Sequence, residues 1–264
     1  MRVNRLLLLV VLGGLVAAAA PAGAAGGPNC FGLPPTPGHL GTAGDDVIHG
    51  TSGDDVIIGL GGNDVIYGKG GRDRICGGYG DDTIYGGPGG DLLDGGPGND
   101  RIFGQEGGDG FLLGGDGNDV IYPGPGAANF TGTVEGGAGR DRIVITAWGD
   151  NDIWGGPGID TLDLRLAPVG FGVDLAYGHF DSLGSPAIGS LIWEVENVLG
   201  SPYGDVISGN GRSNRLLGYG GDDILRGRQG DDYLDGGAGN DKLYGGLGTD
   251  TCLSGSVLVS CELP

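Results

Sequence analysis

Large apolar residues recur every nine positions along two stretches of the chain, with a single step of ten before Ile121. The first runs Ile48, Ile57, Ile66, Ile75, Ile84, Leu93, Ile102, Phe111 and Ile121, and the second Ile207, Leu216, Leu225, Leu234 and Leu243. Call each of these U. In a triplet x-U-x a period-2 strand sends U to one face and both neighbours to the other. Ile and Leu suit such a strand. The glycines between triplets supply backbone angles that other residues resist, so each six-residue stretch can turn. One unit cannot bury its own apolar face, so units must stack, and parallel crossovers of this kind are right-handed. The pattern predicts an all-β solenoid of short parallel strands with the U column inside.

The polar half of the unit is equally regular. Two residues before each U stands an aspartate: Asp46, Asp55, Asp64, Asp73, Asp82, Asp91, Asp100 and Asp109, then Asp119 after one extra residue. Fragments follow at Asp141 and Asp160, and the series resumes as Asp205, Asn214, Asp223, Asp232, Asp241 and Asp250. The unit reads G-G-x-G-x-D-x-U-x. It resembles the RTX (repeats-in-toxin, haemolysin-type) calcium-binding repeats, whose signature it is. The resemblance covers residues 41–126 and 200–252. It implies a right-handed parallel β-roll, a β-solenoid with two nonapeptides per coil, and an ion between neighbouring turns on the same edge.

With two units per coil, residues eighteen apart lie above one another, about 4.8 Å apart. Asp46, Asp64, Asp82 and Asp100 then share one edge, and Asp55, Asp73, Asp91 and Asp109 the other. Like charges at that spacing oppose stacking by roughly 1 kcal/mol per pair even in water, so the array needs cations. Carboxylates with glycine-turn carbonyls are all-oxygen ligands, which suit Ca²⁺. Three histidines and no Cys or His cluster do not suit Zn²⁺. Counting gaps between turns gives on the order of ten Ca²⁺ sites at affinities of about 10⁻⁴–10⁻³ M. Asn214 weakens its site by one charge. With so many glycines to order, the metal-free chain is expected to be disordered and the loaded chain β-rich.

Composition and charge narrow the class. Of 264 residues 65 are Gly, too many for a helical protein and too few for collagen. A net charge of −20 excludes a nucleic-acid partner held by phosphate contacts. Residues 1–24 have the plan of a secretory signal peptide: Arg2 and Arg5, an apolar run from Leu6 to Ala20, and Ala22-Gly23-Ala24. The run is too short to span a bilayer, so the mature chain is expected outside the cell with no membrane span. Many members of the family instead carry a C-terminal export signal.

An arm (25–40) leads into the first array (41–126). Degenerate repeats and a strand-rich insert (127–199) separate it from the second (200–252), and a cap (253–264) closes the chain. Cys76 lies on the outer face, where an arm carrying Cys30 could bridge to it. Cys252 and Cys261 could staple the other end. Leu162, Leu164, Val173, Leu175, Leu191, Ile192, Trp193, Val195 and Val198 read as longer strands, with turns at Gly170, Gly178 and Ser185-Pro186, continuing the sheet or joining two rolls.

Three functions fit. The first is a secreted calcium-binding module that folds on export. The second is a calcium-dependent adhesive or matrix module, using an outer stripe of His49, Tyr67, Tyr85, Phe103 and Tyr122 for an extracellular glycan or cell-surface protein. The stripe has a plainer reading, a stacking ladder within the sheet. The third is a carbohydrate-active enzyme. No His-Glu-x-x-His, Gly-x-Ser-x-Gly or phosphate loop occurs, and the repeats leave no stretch for a catalytic domain, so no enzyme is expected.

Overall fold

The computed structural model describes residues 28–108, 110–125, 132–147, 151–183 and 190–261. The leader 1–24, Asp109 and the Ser185-Pro186 turn lie outside the described residues. Among the described residues the regular structure is strand throughout, and no helix is long and apolar enough to cross a membrane.

The chain forms one parallel β-roll of two sheets. Sheet A has eleven strands, running from Val47–His49 through Val65–Tyr67, Thr83–Tyr85, Arg101–Phe103, Val120–Tyr122, Arg142–Val144 and Thr161–Asp163 to Asn197–Leu199, Arg215–Leu217, Tyr233–Asp235 and Thr251–Leu253. Alternate units build sheet B, which has thirteen strands. Ile48, Ile66, Ile84, Ile102 and Ile121 align in successive strands of sheet A. The U side chains fill the space between the sheets, and Ile57, Ile66, Ile75, Ile84, Leu93 and Ile102 are wholly buried. Apolar burial of this kind contributes about 1.5–3 kcal/mol per side chain, but only once a neighbouring coil is in place.

One U assignment differs from expectation. Phe111 is 37% exposed, and Leu112 is the core residue, paired with Leu93. The extra residue of the array is Gly110. Its N–H donates to the Asp91 carbonyl as the Leu92 N–H donates to that of Asp73, so the strand starts one residue late. A one-residue slip exchanges the faces of a strand.

The two arrays are parts of a single roll. Sheet A passes directly from Thr161–Asp163 to Asn197–Leu199. The insert lies in sheet B alone, as Phe171–Asp174, His179–Ser182 and Ser190–Trp193. The middle strand is antiparallel to both others. Ser190–Trp193 pairs with Asp152–Trp154 of the first part, and Phe171–Asp174 with Val206–Ser208 of the second. Phe171 and Phe180 stack in the core at 5.0 Å.

Both cysteine pairs form, Cys30–Cys76 and Cys252–Cys261. The arm closes the first coil. Ile58 N–H donates to the His39 carbonyl, and Gly41 N–H to that of Ile58, so the arm satisfies the free edge of sheet B. At the far end Val257–Val259 pairs with Lys242–Leu247.

The outer stripe is a continuous ring stack. From His49 through Tyr67, Tyr85 and Phe103 to Tyr122, successive centroids are 4.7–5.0 Å apart and the planes lie within 20° of parallel. That spacing is the coil repeat, so the rings reinforce sheet A. Each stacked pair contributes about 0.5–1.5 kcal/mol beyond its area. Tyr85→Ala removes two such contacts, and denaturant unfolding of the calcium-loaded protein is expected to show a loss of about 1–3 kcal/mol. The equivalent change at exposed Tyr79, outside the stack, is expected to be near neutral.

Candidate metal centre

The turns bring the aspartates into two columns. Those leading into sheet A carry Asp46, Asp64, Asp82, Asp100, Asp119, Asp141, Asp160, Asp232 and Asp250. Those leading into sheet B carry Asp55, Asp73, Asp91, Asp205, Asp223 and Asp241. Asp109, placed by its spacing in the second column, lies outside the described residues.

One carboxylate oxygen holds the coils in register. The Asp46 N–H donates to Asp64 Oδ1 at 2.8 Å, Asp64 to Asp82 at 2.8 Å, and Asp82 to Asp100 at 2.7 Å. The series continues through Asp119, Asp141 and Asp160. The other edge repeats it from Asp55 to Asp73 and Asp91, and from Asp205 to Asp223 and Asp241.

The second oxygen is left bare. Oδ2 of Asp64, Asp73, Asp82, Asp100, Asp119, Asp141, Asp160, Asp223, Asp232 and Asp241 is buried with no hydrogen-bond partner. An orphaned buried carboxylate oxygen is costly. It faces a cradle lined by oxygen. A Cβ at Gly77 would meet both Asp82 Oδ2 and the Gly95 carbonyl of the next coil. Gly59, Gly68, Gly95, Gly114, Gly136, Gly218 and Gly227 repeat the arrangement with their own aspartates. The first glycine of the unit thus keeps open a space bounded by a carboxylate oxygen and a carbonyl. Among the described residues no three His, Cys, Asp or Glu side chains converge on a point. An ion here is therefore held by carboxylate and main-chain oxygens together, the donor set of Ca²⁺. The residues fit that ion.

Four turns differ, and these are the opening coils of the two arrays. In Gly41-Thr42 the Thr42 N–H and hydroxyl both donate to Asp46 Oδ2, at 2.6 and 2.8 Å. Thr51 does the same for Asp55, and Ser201 for Asp205. Asn214 Oδ1 accepts the Asn210 N–H. His39 Nδ1 of the arm stands 3.3 Å from Asp55 Oδ1. In these turns the chain itself occupies the oxygen that other turns leave bare. The nonapeptide spacing alone does not distinguish Asp46, Asp55 and Asp205 from the rest. Thr or Ser in place of the second glycine is the signal that does.

A second column was not anticipated from the pattern. At many turns the Asp or Asn before the aspartate accepts an N–H from the following coil: Asn63 N–H donates to Asp45 Oδ1, Asp81 to Asn63, Asn99 to Asp81, and Asn118 to Asn99. The two columns run in opposite directions and clasp each coil from both sides. The Asn99 backbone and side-chain amides hold the Asp81 carboxyl below its usual range.

Burial does the reverse to the inner column. Desolvation outweighs the backbone hydrogen bond and, with the neighbouring carboxylates, pushes Asp100 up to about 8. Asp82, Asp119, Asp160 and Asp223 rise to about 7, and Asp73, Asp91 and Asp232 to about 6. Ionising these columns in the stacked, metal-free roll is therefore unfavourable near neutrality.

The geometry is that of a calcium-binding β-roll. The family model for the RTX calcium-binding nonapeptide repeat matches residues 40–75, 77–111, 108–127, 129–162, 199–234 and 217–252. These matches span more than half of the chain, which belongs to this family. A search of curated proteins found no match.

The raised acidities set a pH dependence. Their folded values lie above the unfolded carboxylate value, so their contribution to the metal-free roll is complete below about pH 4 and is lost as pH rises through 6 to 8. Calcium supplies at neutral pH the neutralisation that protons supply only in acid. In chelator, circular dichroism is therefore expected to show less β signal at about pH 8 than near pH 4.

Proposed function

We propose that this protein is a secreted calcium-binding module that folds outside the cell when ions fill its turns, and that its role is structural and binding rather than catalytic. The observation that carries the reading is the row of ten buried carboxylate oxygens left without a partner, each facing a glycine cradle. A cation in each relieves the orphaned oxygen and the repulsion between coils. On this reading the ion count is on the order of ten, with ligands from Asp64, Asp73, Asp82, Asp100, Asp119, Asp141, Asp160, Asp223, Asp232 and Asp241, from Asp91 and Asp250 in the same columns, and, by its spacing in the sequence, from Asp109. Asp46, Asp55 and Asp205 serve instead as metal-free opening turns.

The leader-like residues 1–24 and the two disulfides support an extracellular site of action. Millimolar calcium there matches the affinity of about 10⁻⁴–10⁻³ M usual for extracellular modules. The alternative, a glycan-binding or adhesive stripe, draws no support from the ring stack. The ring faces are turned to one another, which leaves edges outward and little π-surface for a sugar.

Far-UV circular dichroism of the mature chain, titrated with CaCl₂ against MgCl₂, tests the reading. A cooperative gain of β signal with calcium alone is expected. A chelated sample that stays fully β-rich would overturn folding on calcium. Position-specific variants sharpen it. Asp82→Asn is expected to lower the number of bound ions in equilibrium dialysis, whereas Asp55→Asn leaves it unchanged. Gly77→Ala, which puts a methyl into the Asp82 cradle, is expected to act like Asp82→Asn.

A further inference from the structure

The repeat pattern lapses between residues 163 and 198, which lie outside every family match. There the edge leading into sheet A passes through a three-residue turn, Glu194-Val195-Glu196, in place of the usual six. Val195 is buried in the core, and both glutamates flank the column of aspartates.

This short turn reproduces the metal-facing atoms of a full repeat. The Gly155 N–H donates to the Trp193 carbonyl as the Gly86 N–H donates to that of Phe103, which puts Glu194 where Gly104 stands. A Cβ at Gly155 would meet Asp160 Oδ2 and the Glu194 carbonyl oxygen, just as one at Gly136 would meet Asp141 Oδ2 and the Gly155 carbonyl. The Asp160 N–H donates to Glu196 Oε2 at 3.0 Å, as the Asp141 N–H donates to Asp160 Oδ1. Glu194 therefore supplies the carbonyl of the first glycine, and the longer Glu196 side chain reaches the place of the final aspartate. Asp160 is wholly buried, and its Oδ2 has no partner and faces this space.

The next gap along the same edge is built differently. Arg212 Nη1 lies 2.5 Å from Glu196 Oε1, and the Asn214 side-chain amide donates to the Glu196 carbonyl. A guanidinium stands on the far side of Glu196, so this gap carries its own positive charge.

We infer that the Glu194 carbonyl and Glu196 complete the calcium site of Asp160 at the junction of the two arrays, with Arg212 as a fixed cation in the gap beyond it. The inference rests on the calcium reading of the repeats and gives the Asp160 site partners that no nonapeptide encodes. It also explains how the first column ends without leaving Asp160 bare.

The junction can be read apart from the repeats, because Trp154 and Trp193 immediately precede Gly155 and Glu194. Terbium, an oxygen-seeking calcium substitute, is expected to luminesce on tryptophan excitation of the wild-type protein. Glu196→Gln keeps a hydrogen-bond acceptor but removes the charge. It is expected to lose most of that signal and to bind one fewer calcium ion in equilibrium dialysis, or to bind it about 10-fold more weakly. Arg212→Gln breaks the ion pair and leaves both carboxylates, and is expected to keep the ion and the signal. An unchanged count and signal in Glu196→Gln, equal losses in Arg212→Gln, or wild-type uptake of calcium without tryptophan-sensitised terbium emission would each overturn the junction site. Failure of the wild type to take up any calcium would overturn this site and the calcium reading together. Should Glu196→Gln not fold, the wild-type terbium measurement decides.

Discussion

Each inner aspartate does two jobs with its two oxygens. Oδ1 receives the N–H of the aspartate one coil away, and this bond sets the vertical spacing. Oδ2 is thereby turned into a dry space between turns, where water cannot reach it. A coil that stacks at Asp64, Asp82 or Asp100 to bury its U side chain also buries a bare carboxylate oxygen. The apolar gain and the electrostatic penalty grow together with length, so the roll cannot be made stable by adding coils alone. A divalent cation changes the sign of the second quantity without touching the first. The strands, the glycine cradles and the excess of acid are consequences of that coupling.

The opening coils resolve the problem that this creates at the start. The first coil of a column needs a floor, and a floor that required an ion would have nothing to stand on. Thr42, Thr51 and Ser201 supply hydroxyl and amide donors in place of a cation. At the N-terminal end the arm adds His39 and the Cys30–Cys76 link. These coils are self-contained templates on which metal-dependent coils can be laid. The Arg212–Glu196 pair belongs to the same logic, a side chain placed where an ion would otherwise be needed.

Much of this was legible in the period of nine. Alternation about Ile66 or Leu225 predicts a three-residue strand, and spacing of the aspartates predicts two columns. The outer position of Cys76 suggested a bridge to the arm, and the nearness of Cys252 and Cys261 at the end of the array suggested the other; both form. What was illegible depended on partners outside the period. Phe111 looked like a core residue because Gly110 fits the repeat until its hydrogen bonds are known. The pairing of Phe171–Asp174 with Val206–Ser208, across an antiparallel strand, joins segments whose contact no local pattern announces. Asp46 and Asp82 look alike by spacing, yet one residue, Thr42 against Gly78, decides whether the carboxylate is satisfied by the chain. Glu196 was missed because its longer side chain compensates for a shorter turn, and pattern matching rewards equal lengths.

The insert enters only sheet B, and so it divides the two edges unequally. On the sheet A edge, hydrogen-bonded contacts pass from Asp46 to Asp250, carried over the insert by Glu196 and Asn214. On the sheet B edge, residues 164–170 before Phe171–Asp174 include no aspartate, and the sequence from 123 to 132 includes none, so Asp91 and Asp205 belong to separate runs. Viewed as one-dimensional lattices with nearest-neighbour coupling, the first edge is one long chain and the second is two short ones. On the calcium reading proposed above, occupancy at one point on the long chain would bias its neighbours along the whole edge. On the other edge that influence would stop before the insert is reached, which sets a continuous register beside a segmented one.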